Sequence, residues 1–424
     1  MNHIKIGSVY LKENDNYVKL CADISSNLDG IEVDKTYFYE VEKKWRKYLV
    51  TETSDAFVVG LINLAMDYNA NIEFTVPISE DLKYQLETYY IPVMANHYSF
   101  KSLIRLIGNC TIPDFDTQNA VGTGFSGGVD SFYSVLKHLE SSYASKKLTH
   151  VILAVNGAAG TGMTKNMDKE WYDEECHRFK PVVEEMGLEF VGINSNMVEF
   201  QQSLKAMKGG SLIVTAGFVF ALNKLFSTYY WASTYGASVM KFDMEDPGFF
   251  EPFTVPLVTT SKLRFYHSGS ETNRIGKVKY IADNKFAQKT LTVCGNTNNC
   301  GICFKCLRTM AELYAIGKLD NFSEVFPVAE YKKHLSSRFA RELAVDHPPF
   351  TTEIMDELKR NGIKIPLSIY AKKQFLYKPY YFLKSRLRKN KLAMKIYYGY
   401  GWDNKYEGVT HSQEYIEARM DGRI

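Results

Sequence analysis

Residues 126–131, Ser-Gly-Gly-Val-Asp-Ser, constrain this chain more than any other stretch. Ala120-Val121-Gly122-Thr123-Gly124-Phe125 before them suits a short strand, and 132–139 carries apolar residues at helical spacing. The order is strand, glycine turn, helix. Two adjacent glycines, Gly127 and Gly128, permit positive φ and let the backbone close on a ligand. Successive N–H groups through Val129, the hydroxyls of Ser126 and Ser131, and the helix N-terminus then point at one anion. Asp130 is acidic where phosphate is expected, which suits a carboxylate that holds Mg²⁺. A Walker A loop is excluded, because Gly-x4-Gly-Lys-Ser/Thr is absent. The plainer alternative is a Gly-Gly turn that caps a helix with Ser and Asp.

From about residue 118 strand-like and helix-like runs alternate, which predicts an α/β fold, a doubly wound parallel sheet. Strands are expected at 150–155, 188–193 and 227–233, and helices at 168–186 and 211–225. Such sheets bind ligands beyond the carboxyl ends of their strands, at the switch point. That places 126–131, Val155-Asn156-Gly157 and the loop after Ser233 around one cleft. The stretch 242–266 reads as loop, with prolines at 247, 252 and 256, on the substrate side. Ser268-Gly269-Ser270-Glu271 offers a helix start, with Arg274 and Lys277 at i and i+3 in its first turns. Two cations on one helical face suit a triphosphate or departing pyrophosphate; a solvated basic face is the alternative.

Cys294-x5-Cys300-x2-Cys303-x2-Cys306 is the second strong signal. Four thiolates this close satisfy tetrahedral Zn²⁺, and an iron–sulfur cluster is the rival. Gly295 and Gly301 supply flexible backbone around the metal, and a helix from Arg308 anchors the knuckle. Cys21, Cys110 and Cys176 are isolated and read as buried small hydrophobes. Seven cysteines, four of them clustered, fit a reducing cytoplasm with a metal site rather than a disulfide scaffold.

The hexapeptide resembles the PP-loop of the ATP pyrophosphatases, the superfamily of GMP synthetase, NAD synthetase, asparagine synthetase and 7-cyano-7-deazaguanine synthase. Asn299-Cys300-Gly301-Ile302-Cys303-Phe304-Lys305-Cys306-Leu307-Arg308 is similar to the zinc end of 7-cyano-7-deazaguanine synthases, Cys-Gly-x-Cys-x-x-Cys-x-x-Arg. The two motifs come in that family's order, and the likeness covers roughly 120–315. It implies an adenine nucleotide alpha hydrolase-like fold and cleavage of ATP between the α and β phosphates. The chain departs from the family in its long segments before and after these motifs. Its first clustered cysteine also stands closer to the second than in the synthases.

Length and composition set the rest. With 424 residues two or three domains are expected. They are assigned as 1–115, a small α+β domain; 116–290, the nucleotide domain; 291–325, the knuckle and its helix; and 326–424, a helical basic region. Within 1–115, strands are expected at 17–21 and 71–76, and helices at 56–65 and 80–89. Hydrophobic residues at 45% and charged residues at 23% describe an ordinary soluble composition. A net charge of +3 is too small to imply nucleic-acid binding by the whole chain. The first fifteen residues have no apolar h-region, and the most hydrophobic run, 211–222, is too short for a bilayer. Between Lys372 and Lys395 lie nine Lys/Arg and no Asp/Glu, interleaved with Phe375, Tyr377, Tyr380, Tyr381 and Phe382. Such a stretch grips RNA, an acidic protein or a membrane surface, or packs its aromatics on the protein itself.

These observations lead to an ATP-dependent activating enzyme with ATP, Mg²⁺ and Zn²⁺ as cofactors. Ser126, Asp130, Ser131, Arg274 and Lys277 are its expected catalytic residues. Residues 126–131 with Val155, Asn156 and Gly157 hold the nucleotide, and Cys294, Cys300, Cys303 and Cys306 hold zinc. A nitrogen nucleophile displaces AMP from the adenylated substrate. Sulfur transfer is one alternative reading; a nucleotide-binding module for protein modification or defence is another. The expected acceptor is a small molecule or a protein, with RNA and a homodimer as open partners.

Overall fold

The computed structural model describes residues 2–28, 34–154, 169–200, 211–242, 246–294, 298–345 and 349–388. Val155, Asn156, Gly157 and Gly295 lie outside these residues, as does the tail after residue 388. The chain divides into two compact units. One comprises Met1–Phe125, Ser134–Ala158 and Met167–Glu271; the other comprises Ser126–Tyr133, Ala159–Asn166 and Thr272–Ile424.

The first unit is built on a ten-stranded, mostly parallel sheet in the order β12-β11-β8-β9-β10-β3-β2-β1-β4-β6. Its strands are β1 (Asn2–Glu13), β2 (Tyr17–Asn27), β3 (Lys35–Glu42), β4 (Ala70–Phe74), β6 (Leu106–Ile107), β8 (Ala120–Gly124), β9 (His150–Ala154), β10 (Glu189–Ser195), β11 (Phe226–Ala232) and β12 (Arg264–Ser268). β5 (Ile78–Ser79) and β7 (Cys110–Thr111) pair separately. From β8 to β12 every neighbouring pair is parallel. Val151, Ile152 and Leu153 are buried in succession, as a strand covered on both faces requires. The order reverses at β8, with β9 and β10 on one side and β11 and β12 on the other. The carboxyl end of β8 is therefore the topological switch point, and residues 126–131 follow it directly in the chain.

Strand pairing runs across residue 115 without a break. β3 pairs antiparallel with β10, with Val41 opposite Ile193 and Tyr39 opposite Ser195. Side chains lock that register: Ser195 Oγ donates to Phe38 O at 2.7 Å, and Asn196 Oδ1 accepts from Phe38 N at 3.0 Å. Tyr37 stacks on Phe200 and Tyr39 meets Phe218 edge-on, so both sides of residue 115 share one aromatic core. The helix Ser211–Ala221 is buried from Leu212 to Ala221 and packs on Asp55–Asp67, which makes it a core helix. Among the described residues no helix is long and apolar enough to cross a membrane.

Two local expectations need correction. The stretch read as loop up to residue 266 contains β12, whose Phe265 is buried in the core. Ser268 therefore ends a strand rather than starting a helix. The helix begins at Arg274, where the Asn273 side chain accepts from Gly276 N at 2.9 Å.

In the second unit the helices Arg274–Ile281, Phe304–Ala315, Leu335–Val345, Phe350–Arg360 and Leu367–Lys372 share a core containing Ile275, Ala311, Phe339, Leu343, Ile354 and Ile369. Helix 274–281 is tied in by its termini. Its Ile275 N–H donates to Glu353 at 3.2 Å, and Lys279 pairs with Glu357 at 2.7 Å.

Asp55, in the first turn of its helix, is buried and accepts from both the N–H and the hydroxyl of Ser79. Burial outweighs these bonds and pushes its carboxyl up to about 6. The folded state thus binds the proton more tightly than the unfolded chain, so this stabilisation is present at low pH and lost as pH rises through 6. Urea unfolding at pH 5 and pH 8 should show wild type losing about 1.4 kcal/mol relative to Asp55→Asn. Equal pH dependence of the two would show that Asp55 titrates normally.

Candidate functional site

In the turn after β8 one of the two adjacent glycines takes the positive φ that the pair permits. Gly127 has φ +68°, which a side chain resists. Gly128 stays inside the negative-φ range but abuts Ser126, whose Oγ lies 3.4 Å from where a Cβ would be. Helix Val129–Leu139 starts at once, with Ser131 Oγ donating to Gly128 O at 2.9 Å and lying 3.4 Å from Ser126 Oγ. Among the described residues no protein acceptor takes the amides of Gly127, Gly128, Val129, Asp130 or Ser131. These are the orphan donors of a helix N-terminus, gathered where an anion completes them.

Asp130 stands at the centre of an ion cluster. Its Oδ2 accepts from Arg274 Nη1 at 2.8 Å and its Oδ1 from Lys277 Nζ at 3.1 Å. Arg274 Nε donates to Glu312 Oε2 at 3.3 Å, and Arg308 Nε lies 3.8 Å from Glu312 Oε1. Lys277 and Glu312 are at most 1% exposed, whereas 28% of the Asp130 side chain meets solvent. Burial alone would raise the Asp130 carboxyl. Lys277 and Arg274, then Arg308, hold it below the usual carboxylate range. Glu342 also faces Arg308, Glu353 faces Arg274, and Lys305 lies close to both arginines, so the cluster mixes both signs of charge beside the five orphan amides.

Sequence spacing found Arg274 and Lys277 but not what they bind. Both grip the carboxylate that the sequence reading reserved for Mg²⁺. With each oxygen of Asp130 held by a cation, this geometry gives no support to Asp130 as a metal ligand. The sequence places Arg308 only in the knuckle motif and its helix, and gives Glu312 no role. Their signal is a pair of oppositely charged residues at i and i+4 on a helix whose residues from Cys306 to Ala315 are otherwise mostly apolar.

The four clustered cysteines converge. Their sulfurs all lie within 4.8 Å of one another, and Cys303 Sγ is 3.8 Å from Cys294 Sγ. Metal–sulfur bonds of about 2.3 Å in a tetrahedron place sulfurs about 3.8 Å apart. The spread therefore suits a single ion, since a multi-iron cluster must hold its thiolates farther apart. Gly301, at φ +69°, turns the chain between Cys300 and Cys303. Cys300 Sγ accepts from Cys303 N at 3.3 Å, and Cys303 Sγ caps helix 304–315 by accepting from Cys306 N at 3.5 Å. Asn299 stitches the knuckle: its Oδ1 accepts from Val293 N and Cys294 N, and its Nδ2 donates to Leu291 O and Val325 O.

The knuckle also touches the glycine turn. Thr292 N donates to Gly127 O at 2.8 Å, two residues before Cys294. Helix 304–315, capped by Cys303, carries Glu312 to Arg274. Loop, cations and cysteines thus form one construction within the second unit. Two clefts, of about 500 and 430 Å³, open elsewhere, around Tyr230, Tyr266 and Lys146. Neither is lined by 126–131; the turn meets solvent through exposed Ser126 and half-buried Gly128 and Asp130. Of the isolated cysteines, Cys21 is buried as expected, whereas Cys110 is exposed on its short strand rather than buried.

No family model, curated protein or solved structure matches the chain.

Elemental analysis of the purified protein should find about one metal ion per chain, reduced at least about five-fold in Cys303→Ser. A metal-free wild type, or a Cys303→Ser variant that keeps its metal, would dismiss the single-ion reading.

Proposed function

We propose that the chain is an ATP-dependent activating enzyme whose phosphate site is the turn at 126–131. One observation carries this reading: five orphan amides at a helix N-terminus stand beside a buried cation pair, Arg274 and Lys277, held on Asp130. A polyphosphate satisfies the amides and meets the positive charge of Arg274 and Lys277. Asp130 then acts as the group that aims both cations at the turn. The resemblance of the hexapeptide to a PP-loop, and of 299–308 to the zinc end of the deazaguanine synthases, names the chemistry. A carboxylate or amide oxygen of the substrate attacks the α-phosphorus, the bond to the bridging oxygen breaks, and pyrophosphate leaves. A nitrogen nucleophile then attacks the activated carbon and AMP departs. Little covalent chemistry falls to the protein, whose part is positioning and charge neutralisation. Ser126 donates a hydrogen bond, and Ser131 does so once its hydroxyl turns away from Gly128 O, while Arg274 and Lys277 neutralise the leaving pyrophosphate.

Zinc is the ion we assign to the cysteines. Four thiolates leave no open coordination position, so its task is structural: it fixes Thr292 against the turn and Glu312 against Arg274. Nitrogen as the delivered atom follows from the resemblance to the deazaguanine synthases. A persulfide route needs an accessible thiolate; burial pushes Cys176 up to about 11 and also raises Cys21, which leaves the exposed Cys110 as the candidate for such a route.

Incubation with ATP and a panel of carboxylic acids and amides should yield AMP and pyrophosphate in equal amounts. Lys277→Met should slow this at least about 100-fold while metal content stays at the wild-type level. ADP and phosphate as products would contradict the scheme, and a fully active Lys277→Met would remove the site from it.

A further inference from the structure

Residues 367–388 run as one helix through Leu367–Lys372, a single π turn at Lys373–Tyr377, and Lys378–Arg388. One side of it is already used. Ile369, Lys373, Tyr377 and Tyr381, spaced by four, face inward and are buried or half-buried. The helix packs on Leu335–Val345, where Lys372 Nζ donates to Ser337 Oγ at 3.0 Å and Arg341 Nε to Tyr381 OH at 3.0 Å.

The other side carries an unusual load. Leu367 is 85% exposed, Phe375 82%, Leu383 58%, Leu376 57%, Phe382 56% and Tyr380 51%. Single exposed apolar side chains are ordinary, but six more than half exposed within seventeen residues of one helix, with Tyr370 at 42% besides, make a surface that water disfavours. The same helix holds Lys372, Lys373, Lys378, Lys384, Arg386 and Arg388, and no Asp or Glu occurs from 358 to 402. Lys378 and Arg386 are exposed beside the apolar residues.

An occupant must therefore be apolar and anionic together. We propose that helix 367–388 lies on the surface of an anionic lipid bilayer, its apolar side chains in the headgroup boundary and its cations against lipid phosphates. A spanning role is excluded by the charges along its length. Single-stranded nucleic acid offers no use for Leu367, Leu376 and Leu383, since its grip depends on aromatic faces. The inference does not rest on the activity proposed above.

Flotation of the full chain with lipid vesicles tests it. Binding is expected to phosphatidylcholine vesicles containing about 30% phosphatidylserine, weakening as salt rises, and to be at least about ten-fold weaker without the anionic lipid. Phe375→Glu with Leu383→Glu should abolish flotation. Lys378→Gln and Arg386→Gln, surface changes that leave the inward side intact, should each weaken it about five-fold. No flotation with anionic vesicles, equal binding to neutral ones, or insensitivity to both sets of substitutions would overturn the proposal. So would retention of a single-stranded RNA, or of an acidic peptide, that these variants lose while vesicles are ignored.

Discussion

The pairing of Asp130 with Arg274 and Lys277 is the interaction on which the rest of the second unit turns. Two cations with almost no solvent access are costly to bury, and their mutual attraction to one carboxylate offsets that cost only when the geometry is good. Removing one partner of such a cluster typically costs on the order of 3–5 kcal/mol, because the others are left buried and uncompensated. Apolar residues of similar volume would hold the fold at least as well. A protein that keeps this arrangement keeps charge where charge is useful, and here it lies beside amides that have no protein acceptor.

Everything around the cluster serves to keep it in place. Asn273 caps the helix that carries both cations, and Ile275 anchors that helix in the core of the C-terminal helices. Glu312 reaches Arg274 from a helix whose first turn is capped by Cys303. Thr292 holds the backbone of Gly127 from the strand of chain that enters the cysteine knuckle. A four-thiolate metal site is an economical way to fix such a segment, since it supplies rigidity where few apolar side chains are available. In the first unit the strand order reverses at β8, whose chain continues into residues 126–131.

Much of this was legible because local signals act over a few residues. The glycine pair, the period of the strands after residue 118 and the four-cysteine spacing each encode their structure within a short window. The three parallel strands expected at 150–155, 188–193 and 227–233 appear at His150–Ala154, Glu189–Ser195 and Phe226–Ala232. What sequence could not show is pairing at long range. Arg274 and Lys277 stand 144 and 147 residues from Asp130, and no spacing rule reaches that far. The union of β3 with β10 likewise depends on Ser195 and Asn196 meeting Phe38, more than 150 residues away. Asn299 looked like one more polar residue of the knuckle, yet its amide satisfies four backbone groups. β12 escaped notice because three prolines precede it and its five residues give too short a period to read.

The central claim is that the turn at 126–131 seats the phosphates of ATP. A crystal structure with α,β-methylene ATP, which cannot be cleaved at the bond in question, addresses it most directly. The account predicts phosphate oxygens at about 3 Å from amides of 127–131, with Arg274 or Lys277 drawn from Asp130 toward them. An analogue bound elsewhere, with those amides and the Asp130 ion cluster untouched, would contradict it.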